Sequence, residues 1–401
     1  MKKIVILTTG QPSTNPRMLK DLDALYKAGY SVKVFYSFWN SWGTAADQQI
    51  IQKYPCDVFC LVGGSIVSNK SSYYLSRAIQ KLLFQFDKIF FFLSDYIISR
   101  TAFLLARKAK NEKADLYIAH NLGALPAAVQ AAKKWGAKCG FDAEDYHRGE
   151  YLKQDKSYNL ARKVEEKYLP QCNYITAASP LIAAAYKKIA LTNITVINNV
   201  FSKSYLQPFR SDDGRGLKLF WFSQTVGPDR GLEFVIKAIN KLERFNISLH
   251  LMGNCSEEYK SSLTMLVSNE NLIEFISPAP PDSIFSIAAK FDIGLASEIS
   301  YTENRDFCLT NKLFTYLLAG NFILASSTKA QKQFIELHPG IGLLYSDNDI
   351  STLTDTLEFL YNNRQYLLEG RKKALQLASD ELNWENESEK FLAVISATLT
   401  N

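Results

Sequence analysis

The chain has 401 residues, 47% of them hydrophobic and 21% charged, with a net charge of +6. This length exceeds the usual size of one core, so two domains of roughly 200 residues each are expected. The charge is too small and too dispersed for a nucleic-acid binder, although it favours an anionic membrane surface. Six scattered cysteines without CxxC spacing read as buried thiols in a reducing cytoplasm, not as a disulfide framework.

KIVILTT reads as an opening strand, and its apolar run is too short for a signal peptide. A helix opened by Pro16 and closed by Gly29 follows, with Met18, Leu19, Leu22 and Leu25 on its apolar face, and SVKVFY reads as the next strand. The stretch 82–106, LLFQFDKIFFFLSDYIISRTAFLLA, is rich in Phe and Leu. Asp87, Lys88, Asp95 and Arg100 leave it no uninterrupted apolar span of about 18–20 residues, so it is not expected to cross a bilayer. DLYIAH (115–120), AKCGFDAED (137–145), NYITAAS (173–179) and ITVINN (194–199) continue the strand series, with helical segments between them.

The polar stretch FSKSYLQPFRSDDGRG, 201–216, is the candidate linker. A second series then runs through LKLFWF (217–222), ISLHLMG (247–253), LIEFIS (272–277), FDIGLAS (291–297), FILASS (322–327) and IGLLYS (341–346). The expected architecture is α/β, with Rossmann-like domains over 1–200 and 217–379 facing each other across a cleft. A C-terminal helix over 380–401, including Trp384, would pack back across the junction.

In open parallel sheets ligands bind beyond the carboxyl ends of the strands. Chemistry-bearing residues cluster at those ends: Gly10, His120, Asn121, Glu144 and Asp145 in the first series, and Gln224, Gly253, Ser277 and Glu298 in the second. GxGxxG and GxxxxGK[ST] are both absent, which removes the main support for dinucleotide and Walker-type phosphate binding. Gly10 fits either a tight turn or close approach of a ligand.

Lys312 falls in the first turn of the helix expected from CLTNKLFTYLLAG, with Thr310 at its N-cap and Gly320 at its end. A helix N-terminus repels a cation. Arg230, in SQTVGPDRGLEFVIKAI, repeats the anomaly at another helix start. An anion of two or more charges between the two cations, held also by free backbone N–H groups, would account for both, and a nucleoside diphosphate is the natural candidate. Glu298, with Glu303 and Asp306 nearby in sequence, could accept hydrogen bonds from sugar hydroxyls.

FDAEDYHRGEY, 141–151, gathers Asp142, Glu144, Asp145, His147 and Glu150 after a strand. This density suits general-base or hydroxyl-binding roles; it also resembles metal ligation, but HxxE without a second histidine is a weak metal signal. His120 is a pocket candidate by position, whereas His250 and His338 read as structural. The segment 70–113 interleaves basic and aromatic residues and is compatible either with an anionic bilayer surface or with a solvated helix face.

Taken together, NPRMLKDLDALYKAGYSVKV, AHNLGALPAA, FDAED, SQTVGPDRGLEFVIKAI, LHLMGN and LTNKLFTYLLAGNFILAS resemble bacterial glycosyltransferases of the GT-B fold, especially family 4, over nearly the whole chain. The resemblance implies an N-terminal acceptor domain, with Gly10 and Asn15 in the acceptor loop and His120, Glu144 and Asp145 as candidate catalytic groups. It implies a C-terminal donor domain in which Gln224, Arg230, Gly253, Asn254, Ser277, Glu298, Asn311 and Lys312 bind a nucleotide sugar. Transfer to a carbohydrate or lipid-linked acceptor, with retention and without metal or other cofactor, would follow, in cell-surface polysaccharide or glycoconjugate synthesis in the cytoplasm or at the inner face of the membrane. Family members often carry two glutamates with seven residues between them, at positions held here by Phe307 and Thr315, and a histidine where this chain has Glu144. A base-like role for Glu144 or Asp145 would permit inversion instead. A nucleotide-sugar epimerase and a noncatalytic two-domain binding protein are the alternatives.

Overall fold

A computed structural model describes residues 1–86, 94–211, 214, 216–346 and 349–400. The chain forms two compact units. The first comprises Met1–Ile197, Thr302–Asn304 and Ser388–Asn401, and the second Asn198–Tyr301 and Arg305–Glu387.

The first unit is built on a parallel sheet of β1 (Lys3–Thr8), β2 (Ser31–Ser37), β3 (Phe59–Val62), β4 (Leu116–His120), β5 (Lys138–Ala143), β6 (Tyr174–Ala177) and β7 (Asn193–Val196). Their order is β3-β2-β1-β4-β5-β6-β7. The second unit has β8 (Leu217–Val226), β9 (Ile247–Cys255), β10 (Ile273–Ile276), β11 (Ile293–Ala296), β12 (Phe322–Ser326) and β13 (Gly342–Tyr345), in the order β10-β9-β8-β11-β12-β13. Each sheet winds outward in one direction and then restarts on the other side of its first strand. The switch points are therefore β1/β4 and β8/β11, where open α/β sheets bind ligands.

The central strands β4, β11 and β12 are buried along their whole length, because helices cover both faces of a parallel sheet. β3 is a strand that the sequence pattern did not reveal. It is four residues long, lies at the edge and is only partly buried, so FCLV lacks the long apolar run of its neighbours.

The cysteines differ from expectation. Only Cys139 and Cys172 are buried, Cys56 is exposed, and Cys60, Cys255 and Cys308 are half-buried. Cys60 lies on the edge strand and Cys255 ends β9, positions where an apolar run no longer implies burial. The described part of the 201–216 stretch is tied into the second unit: the Gln207 N–H donates to the Leu318 carbonyl at 2.9 Å, and the Trp384 N–H to the Phe201 carbonyl at 2.9 Å. Among the described residues no helix is long and apolar enough to cross a membrane. Residues 87–93 of the 82–106 stretch lie outside the described residues.

Candidate functional sites in the two units

In the second unit, the helix Asn311–Ala319 begins as the sequence pattern implies, with Thr310 extended at its N-cap and Gly320 left-handed at its end (φ 67°). The Thr310 hydroxyl makes no cap bond, however, and its Oγ1 is buried without a hydrogen-bond partner. Lys312 is buried, and its Nζ lies 2.7 Å from Glu298 Oε1 and 5.2 Å from the centre of the Trp221 ring. Glu298 Oε2 lies 3.6 Å from Arg230 and 3.4 Å from Arg305. Three cations thus converge on one carboxylate.

The backbone holds this cluster in place. Glu298 follows β11 at the switch point, and its N–H donates to Ser326 Oγ at 2.9 Å, while that hydroxyl donates to the Glu298 carbonyl at 2.7 Å. Ser297 Oγ donates to the Arg230 carbonyl at 2.6 Å, which ties the loop before the helix Leu232–Asn240 to the end of β11. Gly231 caps that helix at φ 73°, and a Cβ there would meet Ser297 Oγ at 2.7 Å, so close approach and backbone conformation both require glycine. Gly253 is equally constrained: its φ is 150° and a Cβ would stand 2.3 Å from the Ser223 carbonyl oxygen. Gln224, Asn254 and Ser277 are exposed, and the Asn254 amide donates to the Gln224 carbonyl at 3.2 Å. Asn311 is exposed at the helix start and accepts from Asn199 at 2.9 Å. Arg305 was not singled out from the sequence. It lies in a short helix, Glu303–Phe307, and nothing in its local pattern marks it as converging on Glu298.

In the first unit, a buried ion network lies beneath the ends of β4 and β5. Arg17 grips both oxygens of Asp142, with Nε at 2.6 Å and Nη2 at 2.8 Å, and donates to the Ile197 carbonyl at 2.6 Å. His120 is placed between Asp21 at 3.3 Å, Asp142 at 3.3 Å and Glu144 at 3.4 Å. Burial opposes a charge on His120, but hydrogen bonds to Asp142, Asp21 and Glu144 outweigh it and raise its pKa well above the usual histidine range. Burial would raise Asp142, yet Arg17 and His120 hold it well below the usual carboxylate range. Burial lowers the neighbouring Lys20 to about 7. Ligand atoms of Asp21, His120 and Asp142 all lie within 4.8 Å of one another, a spacing that a metal ion fits. Arg17, however, already engages both oxygens of Asp142, so a cation from the chain itself occupies the carboxylate that a metal would need.

His120, a pocket candidate by position, is fully buried, and the group that reaches the surface beside it is Glu144, whose side chain is 26% exposed. Glu144 and Asp145 line a cavity of about 680 Å³, together with Thr9, Trp39, Asn121 and Glu150, at the carboxyl ends of β1, β2, β4 and β5. Asn121 has φ 65° and ψ 156°, a strained conformation for a residue with a side chain, stabilised by Thr9 Oγ1 donating to its amide oxygen at 2.6 Å and by its own amide donating to Thr8 at 2.9 Å. Asp145 accepts from Asn304 at 2.9 Å within the same unit. His147 Nδ1 lies 2.8 Å from Glu150; burial opposes its charge, but that contact and nearby acids raise it to about 9. Gly10 is buried with no positive φ, and its N–H donates to Thr8 Oγ1 at 3.1 Å. Asn15 is buried and caps the helix Pro16–Lys27 by accepting from the Met18 N–H at 2.9 Å.

No protein-family model matches the sequence, and no curated protein matches it. Solved structures do match. A glycosyltransferase from Rickettsia africae aligns at TM-score 0.72 and 13% identity, covering 100% of this chain and 99% of the other. HepE from Anabaena, in complex with UDP, aligns at TM-score 0.70 and 14% identity, covering 99% and 100%. It is also solved with UDP-glucose. TarM aligns at TM-score 0.68 and 12% identity, covering 98% of each chain. At these identities the likeness establishes the fold, which is that of the GT-B glycosyltransferases.

Proposed function

We propose that this chain, which has the GT-B fold, is a glycosyltransferase that moves a sugar from a nucleoside-diphosphate sugar to a carbohydrate or lipid-linked acceptor. The observation that carries the reading is the convergence of Lys312, Arg230 and Arg305 on the single carboxylate of Glu298. Breaking the bond between the sugar and the diphosphate leaves added negative charge on the phosphate oxygens. A preorganised cation cluster stabilises that leaving group more than it stabilises the intact donor. Arg230 and Arg305 keep 30% and 24% of their side-chain surface exposed, so an incoming diphosphate can reach them.

The finer reading is metal-independent transfer with retention, the cations supplying the counter-charge that a divalent ion would otherwise provide. The alternative stereochemistry draws on Glu144, which lines the cavity of the first unit and would, as base toward an acceptor hydroxyl, favour inversion. NMR of the product anomer decides between them. The primary test is a panel of UDP-, GDP- and dTDP-sugars assayed for hydrolysis and transfer, with and without EDTA; UDP-glucose comes first because HepE binds it. Absence of turnover and of nucleotide binding across the panel would sink the reading.

Peripheral membrane contact belongs to the same proposal. The helix Lys70–Phe86 carries Lys70 and Lys81, and it exposes Tyr74, Leu75 and Leu82. Basic residues interleaved with exposed apolar ones suit an anionic lipid surface. Flotation with vesicles containing phosphatidylglycerol, compared with neutral vesicles, tests it.

A further inference from the structure

The cavity of the first unit contains a charge arrangement that donor binding does not explain. Besides Glu144, Asp145 and Glu150, its lining includes Arg77 and Arg100. Both guanidinium groups pack on the ring of Tyr73, at 5.8 Å and 4.7 Å from its centre. Arg100 donates to the Gly63 carbonyl at 2.9 Å, to Ser76 Oγ at 2.5 Å and to the Phe38 carbonyl at 3.0 Å. Among the described residues Arg77 hydrogen-bonds the Tyr73 hydroxyl alone, at 3.4 Å.

Neither arginine forms an ion pair with a carboxylate among the described residues. The acids in the lining have partners of their own: Glu150 has His147, Glu144 has His120, and Asp145 has Asn304. Burial disfavours the charged form of Arg100; Tyr73 opposes that effect and the nearby charge of Arg77 adds to it. Arg100 has a structural role as well, since it fastens three segments of the wall. Arg77 has none of that kind: it is exposed, it lines the cavity, and among the described residues no carboxylate pairs with it. Trp39, 71% exposed, adds an aromatic face suited to the apolar face of a sugar ring.

We propose that this cavity binds a glycosyl acceptor bearing an anionic group, whose charge is received by Arg77 and Arg100 while its reacting hydroxyl is directed toward Glu144. The proposal rests on the glycosyltransferase reading and narrows its acceptor class. Arginine suits either a phosphate or a carboxylate, which it can engage through two parallel hydrogen bonds. Phosphorylated sugars and uronic acids therefore share the chemistry.

The test titrates the full chain with glucose 1-phosphate, methyl glucuronide and methyl glucoside, following ligand resonances by saturation-transfer NMR. The wild-type protein should bind one or both charged sugars at least tenfold more tightly than the neutral glycoside. Arg77→Gln, an exposed substitution that removes no structural contact to the backbone, should abolish that preference without changing binding of the neutral sugar, and Arg77→Lys should restore part of it. Whichever charged sugar gains identifies phosphate or carboxylate as the anion. Equal binding of all three sugars, or an unchanged preference in Arg77→Gln, would overturn the proposal. Binding of UDP, measured separately, should be the same in Arg77→Gln and the wild type. Failure of UDP to bind either protein would count against the donor reading, whereas loss of the charged-sugar preference counts against this proposal alone.

Discussion

Lys312 Nζ lies 2.7 Å from Glu298 Oε1, with the two side chains 10% and 5% exposed. The lysine that helix electrostatics disfavours is therefore matched by a carboxylate from the neighbouring strand end. The diphosphate expected from sequence would join an ion cluster that already exists. A donor phosphate has to compete with Glu298 for Lys312, or share its cations.

Replacing Lys312 by alanine should lower kcat/KM by about 100- to 1,000-fold, the usual cost of losing one preorganised group that stabilises developing charge. Glu298 also loses its nearest cation inside the unit, so thermal stability should fall as well. Lys312→Arg preserves the charge and separates the two effects. Steady-state kinetics beside thermal melts check this, and full activity in the alanine variant would remove Lys312 from the donor site.

Glu298→Gln leaves three cations without their shared carboxylate. Electrostatic attraction for a diphosphate should rise, and the Kd for UDP measured by calorimetry should fall by about tenfold, equivalent to roughly 1.4 kcal/mol. Weaker UDP binding would mean that Glu298 contacts the nucleotide favourably and is not its competitor.

Arg17→Met removes the guanidinium that holds both oxygens of Asp142 at 3% and 1% side-chain exposure. A buried carboxylate stripped of its fork partner typically costs about 3–5 kcal/mol. The melting temperature of the first unit should drop by roughly 10 °C, at about 2–4 °C per kcal/mol. Calorimetry would show this, and a change of less than about 2 °C would mean that His120 alone satisfies Asp142.

The ring of His147, raised to about 9, should remain an imidazolium at neutral pH. Two-dimensional NMR of the histidine rings should show one midpoint near 9 that moves toward the ordinary value in Glu150→Gln. Because the folded pKa is the higher one, the stabilisation is complete below about 6.5 and disappears as pH rises through about 9. The stability difference between wild type and Glu150→Gln should follow the same course. It should amount to about 1 kcal/mol at its largest, since solvent reaches Glu150.

The alternation of strands and helices in both halves was legible because central parallel strands are buried on both faces and read as unbroken apolar runs such as KIVILT and FILAS. The edge strand at Phe59–Val62 was not, since four residues, three of them only half-buried, carry no such run. Lys312 and Arg230 stood out because each contradicts the helix dipole, a conflict visible in one dimension. Arg305 contradicts nothing locally, so its sequence neighbourhood gave no sign of its place in the cluster.

The sequence by itself determined the two parallel α/β sheets, the helix start bearing Lys312 and the one that Arg230 precedes, and the strand ends bearing Glu144 and Glu298, because periodicity, capping and dipole effects act over a few residues. Only the tertiary structure decided which charges meet. Glu298 joins Lys312, Arg230 and Arg305; Asp142 takes the fork of Arg17, 125 residues away; and His120 is enclosed beneath Glu144 and does not line the cavity. Pairings of that kind depend on strand order and on the few ångströms that separate the ends of adjacent strands. Coulomb energy and hydrogen bonding respond to those distances and not to separation along the chain.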